Sequence, residues 1–301
     1  MIKDFFVRNL AAITILGSVV FGFFLSDIGN YWKPYTPYLL MLLMFSTVLT
    51  IRPRDIAESA KDTRFLASAI LTVFVIGPAL AFTGKFLFSP ATFAGIMLAL
   101  CAPSAVATAF YSGLFKGDTA CGLVMSMTTN LMAILTIPIT MFLTVGTVVS
   151  SDPTSMFLNL AELILIPTFI AFLAQRTLHS SLVKISRHTS KINLAILFFL
   201  IWASIAPGSA YARQNLSEFM WLTILLLAVL ATLFVVSYGL AVRQGRKKAI
   251  TAGVSASVRN GALALVLGTT FSNPEIILPL VANLVAQSIL LVALGIIFRD
   301  G

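Results

Sequence analysis

Charge is what this chain is short of. Asp, Glu, Lys and Arg make up 10% of its 301 residues, against ~25% in soluble domains, and the mean hydropathy is +0.98. An ordinary water-soluble domain is excluded. Cysteine is scarce: Cys101 and Cys121 stand in apolar runs with no CxxC spacing and no histidine beside them. A disulfide framework or a metal centre is therefore not expected. The two histidines, His179 and His188, read as members of one polar loop without an acidic neighbour. No Ser/His pair, paired aspartate or HExxH arrangement falls in an apolar stretch, so intramembrane hydrolysis has no nucleophile or metal to work with and no enzyme is expected. The first apolar run lacks the small-residue cleavage site of a signal peptide and reads as a membrane span.

What the chain has in abundance is apolar runs. Set against loop signals they give ten spans, at 10–26, 36–51, 65–88, 91–115, 119–146, 155–175, 192–210, 219–242, 249–271 and 275–298, each near the ~20 residues that cross a bilayer. Pro78, Pro138 and Pro167 predict kinks in the third, fifth and sixth spans. Of the 20 cations, sixteen fall in the N-terminus, the even-numbered loops and the C-terminus, including Lys3, Arg8, Arg52, Arg54, Lys61, Arg64, Lys116, Arg243, Arg246, Lys247, Lys248 and Arg299. Three, Lys33, Lys85 and Arg213, fall on the other side, and the last is Arg259. This bias predicts cytoplasmic termini in a cell (inner) membrane. It also accounts for the excess of basic residues without nucleic acid: the cations meet anionic lipid.

Two spans carry interruptions at matching places. The fourth is broken at Ala102-Pro103-Ser104-Ala105, and the ninth at Ser255-Ala256-Ser257-Val258-Arg259-Asn260-Gly261. Each half of the chain, 1–150 and 151–301, holds five spans, and an odd number forces the halves to insert in opposite senses. That is the arrangement of inverted-repeat transporters, whose binding sites lie at paired broken helices. An arginine near the bilayer midplane costs at least ~2.5–3.5 kcal/mol unless water, an anion or a partner meets it. Two readings of Arg259 stand: a polar site at an opened helix, or an arginine tying two helices together through a backbone carbonyl. Small residues, Ala102, Ala105, Gly261 and Ala262, are expected to let the two breaks cross closely.

Other polar groups lie at depth. In the fifth span Ser126 and Asn130 are four apart on one helical face, with Thr129 beside them. Their oxygens suit a small hard cation or a carboxylic acid; the other reading is interhelical hydrogen bonding, which is preferred for Thr128 and Thr129. Asn283, Gln287 and Ser288 form a polar face in the tenth span that admits the same two readings. Glu162 in the sixth span is either a proton carrier or counter-charge, or a solvated residue at the outer interface. Lys85 is expected to snorkel, and Asp118 to cap the helix that follows it.

Several stretches resemble the bile acid:sodium symporter family: Pro37 to Phe45 (PYLLMLLMF) with Leu49, Thr50 and Pro53, the segment from Cys101-Ala102-Pro103 to Lys116-Gly117-Asp118, Pro138, and Lys248-Ala249-Ile250-Thr251 leading to Asn260-Gly261-Ala262-Leu263-Ala264. The resemblance implies ten helices as two inverted five-helix repeats. Spans 1, 2, 6 and 7 would form a panel domain; spans 3–5 and 8–10 would form a core domain in which the broken spans 4 and 9 cross. An organic anion would bind between the two domains. In sodium-using members the break of span 9 carries a glutamate and a glutamine, where this chain has Ser257, Val258 and Arg259. The resemblance places Val73 at a family glutamine, Thr108 and Ala109 at a serine–asparagine pair, and Gly122 and Ser126 at two hydroxyl positions. It leaves Thr108 and Ser126 as ion-site candidates.

The expectation is a secondary transporter of a small organic anion, acting by alternating access as a monomer or homodimer. Half-helices starting near Ser104 and Asn260 would aim N–H groups at the anion. Substrate contacts are expected from Ser104, Thr108, Arg259, Asn260 and Gly261, and ion contacts from Thr108, Ser126 and Asn130. No cofactor is expected, with Na+ the candidate coupling ion; Arg259 would supply a fixed positive charge or occupy the vacated ion site. The rival readings are an efflux carrier of the same fold, for instance of arsenite with Cys101 as a thiol ligand, and a membrane sensor that binds without transporting.

Overall fold

The structure, a computed structural model, describes residues 10–49, 62–146, 153–177, 179–271 and 273–298. Lys3, Arg8, Arg52, Arg54, Lys61 and Arg299, on which the charge bias partly rests, and Thr50 and Pro53 of the resemblance lie outside the described residues. The described chain is helical throughout, with one isolated β-bridge. In order the helices are α1 (Leu10–Phe24), α2 (Ser26–Trp32), α3 (Thr36–Val48), α4 (Thr63–Leu71), α5 (Gly77–Phe82), α6 (Pro90–Cys101), α7 (Thr108–Leu114), α8 (Thr119–Thr144), α9 (Pro153–Thr177), α10 (His179–Ile205), α11 (Ser209–Gln214), α12 (Leu216–Ala241), α13 (Arg246–Ser257), α14 (Gly261–Gly268) and α15 (Ile277–Ile297).

Six helical stretches among the described residues are long and apolar enough to cross a membrane: Thr63–Phe82, Thr119–Thr144, Pro153–Thr177, Lys191–Gln214, Leu216–Gln244 and Pro274–Ile297. A seventh arises if α1 and the stretch Ser26–Val48 count together across a 105° bend. The six match the third, fifth, sixth, seventh, eighth and tenth expected spans. The other four expected spans fall on helices of 7 to 15 residues, too short singly to cross.

Local chemistry explains where these helices begin. Ser89 caps α6 by accepting from the Thr92 N–H, with Pro90 at the first position, where a missing N–H costs nothing. Asp62 caps α4 through the Phe65 N–H, and Asp118 caps α8 through the Cys121 N–H, as the sequence predicts for Asp118. At the same end of the molecule Lys248 of α13 pairs with Asp62, and the Thr251 hydroxyl accepts from the Asp118 N–H. At the start of α6, Glu275 accepts from the hydroxyls of Ser89 and Thr92, and Glu218 accepts from Thr92.

The prolines behave differently from one another. Pro138 and Pro167 lie inside α8 and α9, which continue through them. Before Pro78 the backbone widens into one π turn, Thr72–Ile76, that joins α4 to α5. The polar loop expected around His179 and His188 is instead the first third of α10. Hydropathy marks where a helix leaves the apolar layer, and Leu, Lys and Arg keep good helix propensity beyond that point.

Packing gathers α1, α2, α3, α9 and α10 on one side and α4, α6, α7, α8, α12, α13 and α15 on the other, with α8 against α9 and α1 against α15 between them. The largest apolar cluster runs through α6, α14 and α15; nearly every side chain of α6 and α14 is buried, and most of those of α15. This burial in every direction explains why α6 and α14 are apolar all round rather than amphipathic.

Candidate functional site

The two interrupted apolar stretches meet at their breaks. Helix α6 ends at Cys101 and α7 starts at Thr108; α13 ends at Ser257 and α14 starts at Gly261. Between them Ser104 and Arg259 form an antiparallel bridge. The Ala105 N–H donates to the Val258 carbonyl at 2.8 Å, and the Asn260 N–H donates to the Pro103 carbonyl at 2.7 Å. Opened backbone at this depth needs partners inside the protein, and each break supplies them to the other.

Side chains complete the crossing. Asn260 caps α14, its Oδ1 accepting from the Leu263 N–H at 3.1 Å, while its Nδ2 donates to Asn130 Oδ1 at 2.9 Å. Asn130 donates in turn to the carbonyls of Ser104 at 3.0 Å and Ser126 at 2.7 Å. The Thr129 hydroxyl accepts from the Ser104 N–H at 3.1 Å, and the Ser104 hydroxyl donates to the Ser255 carbonyl. Gln287 Oε1 accepts from the Arg259 N–H at 2.7 Å. Thr129 and Asn130 of the α8 polar run and Gln287 of the α15 polar face thus serve the crossing.

Arg259 is fully buried. Its Nη1 donates to two backbone carbonyls, Val73 at 3.1 Å and Ala102 at 3.2 Å. Both acceptors are carbonyls that regular helix would have occupied. In the π turn the Gly77 N–H goes to Thr72, and the next donor in that register is Pro78, which has no N–H. Ala102 leaves the helix with ψ 145°, so no following turn covers its oxygen. Gly77 makes the fit possible: a Cβ there would lie 2.5 Å from Arg259 Nη2 and 2.9 Å from the Leu100 carbonyl.

Several expectations are refined by these positions. The second half of the fourth stretch begins at Thr108 rather than near Ser104, and the Ser104 and Ala105 N–H groups go to Thr129 and Val258. Gly261 is tight against Leu284 of α15, where a Cβ would meet Cδ2 at 2.4 Å, so its smallness serves α14–α15 packing rather than the approach of the two breaks. Thr108 is buried with its hydroxyl unpartnered. Ser126 and Asn130 are 5% exposed and line a crevice of about 30 Å³, together with Thr47 and Val48 of α3, Val106 of the first break and Ile164 of α9. Cys101 is buried with its Sγ on the Leu98 carbonyl, and Cys121 belongs to a separate apolar cluster. Glu162 lies exposed on α9, and Lys85 sits over the Phe82 ring, 5.2 Å from its centroid.

Gly77 is the site residue that sequence reading missed. A Gly-Pro pair inside an apolar span signals an irregular turn, yet it does not say which side chain comes to meet it. The guanidinium fits the tie between backbone carbonyls that was the plainer of the two readings of Arg259, and it holds two such groups at once.

Comparison with known proteins gives a consistent picture. The model of the sodium bile acid symporter family ("Sodium Bile acid symporter family") matches residues 37–215. The "Uncharacterized protein YbaS" of Bacillus subtilis (strain 168) is 20% identical over 284 residues, covering 92% of this chain and 93% of that protein. The "Uncharacterized sodium-dependent transporter YocS" of the same organism is 23% identical over 215 residues, 71% of this chain and 66% of its own. The "Probable sodium/metabolite cotransporter BASS2, chloroplastic" of Oryza sativa subsp. japonica is 24% identical over 268 residues, 87% of this chain and 63% of its own.

Proposed function

The chain belongs to the sodium bile acid symporter family, and from that premise we propose that it is a secondary transporter moving a small organic anion across the cell membrane by alternating access. One observation carries the reading: the crevice lined by Ser126 and Asn130 reaches Val106 of the first break, and Asn130 is bonded to Asn260 of the second. A polar wall therefore joins an apolar crevice to the crossing of two broken spans, the kind of place where transporters bind.

In this reading the ten expected spans form two inverted repeats, 1–150 and 151–301, with both termini cytoplasmic. The group containing α3 and α9 is the panel; the group containing α8 and the crossing is the core. Ser126 and Asn130 meet the polar end of the substrate. Ser104, Asn260 and Gly261 keep the crossing in shape, and Thr108 is buried with an unused hydroxyl. The fixed charge of Arg259, buried in a low dielectric, raises the local potential for an anion without having to touch it. A crevice of about 30 Å³ has room for about one water. An organic anion enters only when panel and core move apart, and that motion is the transport step.

The test is a thermal-shift screen of the purified protein against mono-, di- and tricarboxylates at millimolar concentration, followed by uptake of any hit into proteoliposomes. A ligand of the folded state raises its apparent stability by mass action. Saturable stabilisation by one carboxylate class, with uptake of the same compound, is expected. Uptake of none of them would overturn the proposal.

A further inference from the structure

The family name makes Na+ the default coupling ion, yet the residues at the crossing do not fit one. Two half-helices, α6 and α13, bring their C-terminal ends to the same place, at Cys101 and Ser257. The C-terminal end of a helix carries about half a negative charge. Beside them stand the carbonyl oxygens of Val73 and Ala102, both freed from helical bonding. Carbonyl oxygens gathered at negative helix ends are the ligand set of a hard monovalent cation, as at the unwound segments of transporters. Here that cradle already holds a cation, the Arg259 guanidinium, fully buried and bonded to both oxygens through Nη1, its Nε and Nη2 being without a hydrogen-bond partner among the described residues. Space is closed as well: the guanidinium rests against Gly77 so tightly that even a methyl group would collide with it. Both breaks are made of serine, alanine, proline, valine, arginine and asparagine, and neither contains a carboxylate to attract a second positive charge.

We propose that Arg259 is a tethered cation that permanently occupies the place of a dissociable coupling ion, so that this carrier binds and cycles without sodium. The inference rests on the transporter reading above and concerns the ion at that same crossing. A charge fixed to the chain cannot be released on the far side. It therefore holds the two breaks together in every state, and the gradient of the anion, or of a proton or second anion moving with it, drives net flux.

The experiment needs no substrate. Apparent Tm of the purified protein is measured in NaCl, KCl and N-methyl-D-glucamine chloride at equal ionic strength, for the native chain and for Arg259→Ala. The three curves of the native chain are expected to coincide. The variant is expected to melt lower and to recover most of the loss on titration with millimolar guanidinium or Na+, and not with N-methyl-D-glucamine, because the emptied carbonyl cradle again accepts a small cation. A saturable, Na+-specific rise in Tm of the native chain overturns the proposal. So does a folded Arg259→Ala protein that no small cation stabilises. Should Arg259→Ala fail to fold, the native-chain measurement decides by itself. Sodium binding by the native chain would leave the transporter reading intact, whereas failure of anion uptake would leave the Tm comparison readable.

Discussion

Asn260 spends both ends of its amide inside the protein: Oδ1 closes the first turn of α14, and Nδ2 reaches Asn130. Replacing an N-cap by alanine costs about 1 kcal/mol, and leaving the buried Asn130 oxygen unpaired adds about 1–3 kcal/mol. Asn260→Ala is therefore expected to lower the thermal midpoint of the purified protein. Asn260→Ser, which keeps a capping oxygen and loses the amide bridge, is expected to fall between the two; equal midpoints for Ser and Ala would remove the cap from this account. Residue chemistry was legible here in part. Asn260 and Asn130 are visible as polar groups at depth, and a substrate contact was expected of Asn260. Their pairing across 130 residues is not visible, because an amide serves ion, substrate or neighbour equally well. Thr129 makes the same point, since its hydroxyl bonds to the first break and is the adhesive contact expected of it.

Between elements, the pair Asp62–Lys248 joins the cap of α4 to the first turn of α13. The hydrogen bond from Lys248 holds the Asp62 carboxyl below its ordinary value of 3.8. A depressed carboxylate pKa contributes stability that is present above the unfolded value and lost as pH falls through the folded one. The pair is partly exposed, Asp62 at 27% and Lys248 at 33%, so solvent screens it and the effect is small. Asp62→Asn is expected to melt below the native protein near neutral pH, the gap shrinking once pH falls below 3.8; a gap independent of pH would show that the charge plays no part. The elements themselves were largely legible, because apolar length and proline are local properties. The π turn before Pro78 was not, since its consequence, an uncovered Val73 carbonyl, shows only when Arg259 arrives to meet it.

At the scale of the whole molecule, the crevice lies between the two groups of helices, and Thr47 on α3 and Met127 on α8 both line it. Moving these groups apart is what the proposed mechanism requires. A Thr47→Cys, Met127→Cys double variant, bridged by a short bis-maleimide in proteoliposomes, is expected to lose uptake of the carboxylate found by thermal shift, while each single variant treated alike keeps it. Full uptake by the bridged protein would exclude a rocking motion between α3 and α8. Cys101 and Cys121 are buried and should react slowly with the reagent.

The sequence by itself determined that this is a multi-pass membrane protein, where most of its spans lie, and that two further apolar stretches are interrupted at Pro103 and at Arg259-Asn260-Gly261. Those properties follow from the run length of apolar side chains and from residues that cannot continue a helix, and each is written within about twenty neighbouring positions. Only the tertiary structure decided which group answers each interruption. A backbone carbonyl has no signature, since every residue carries one, so the cradle of Val73, Ala102 and Gly77 around the guanidinium exists only once the chain has folded.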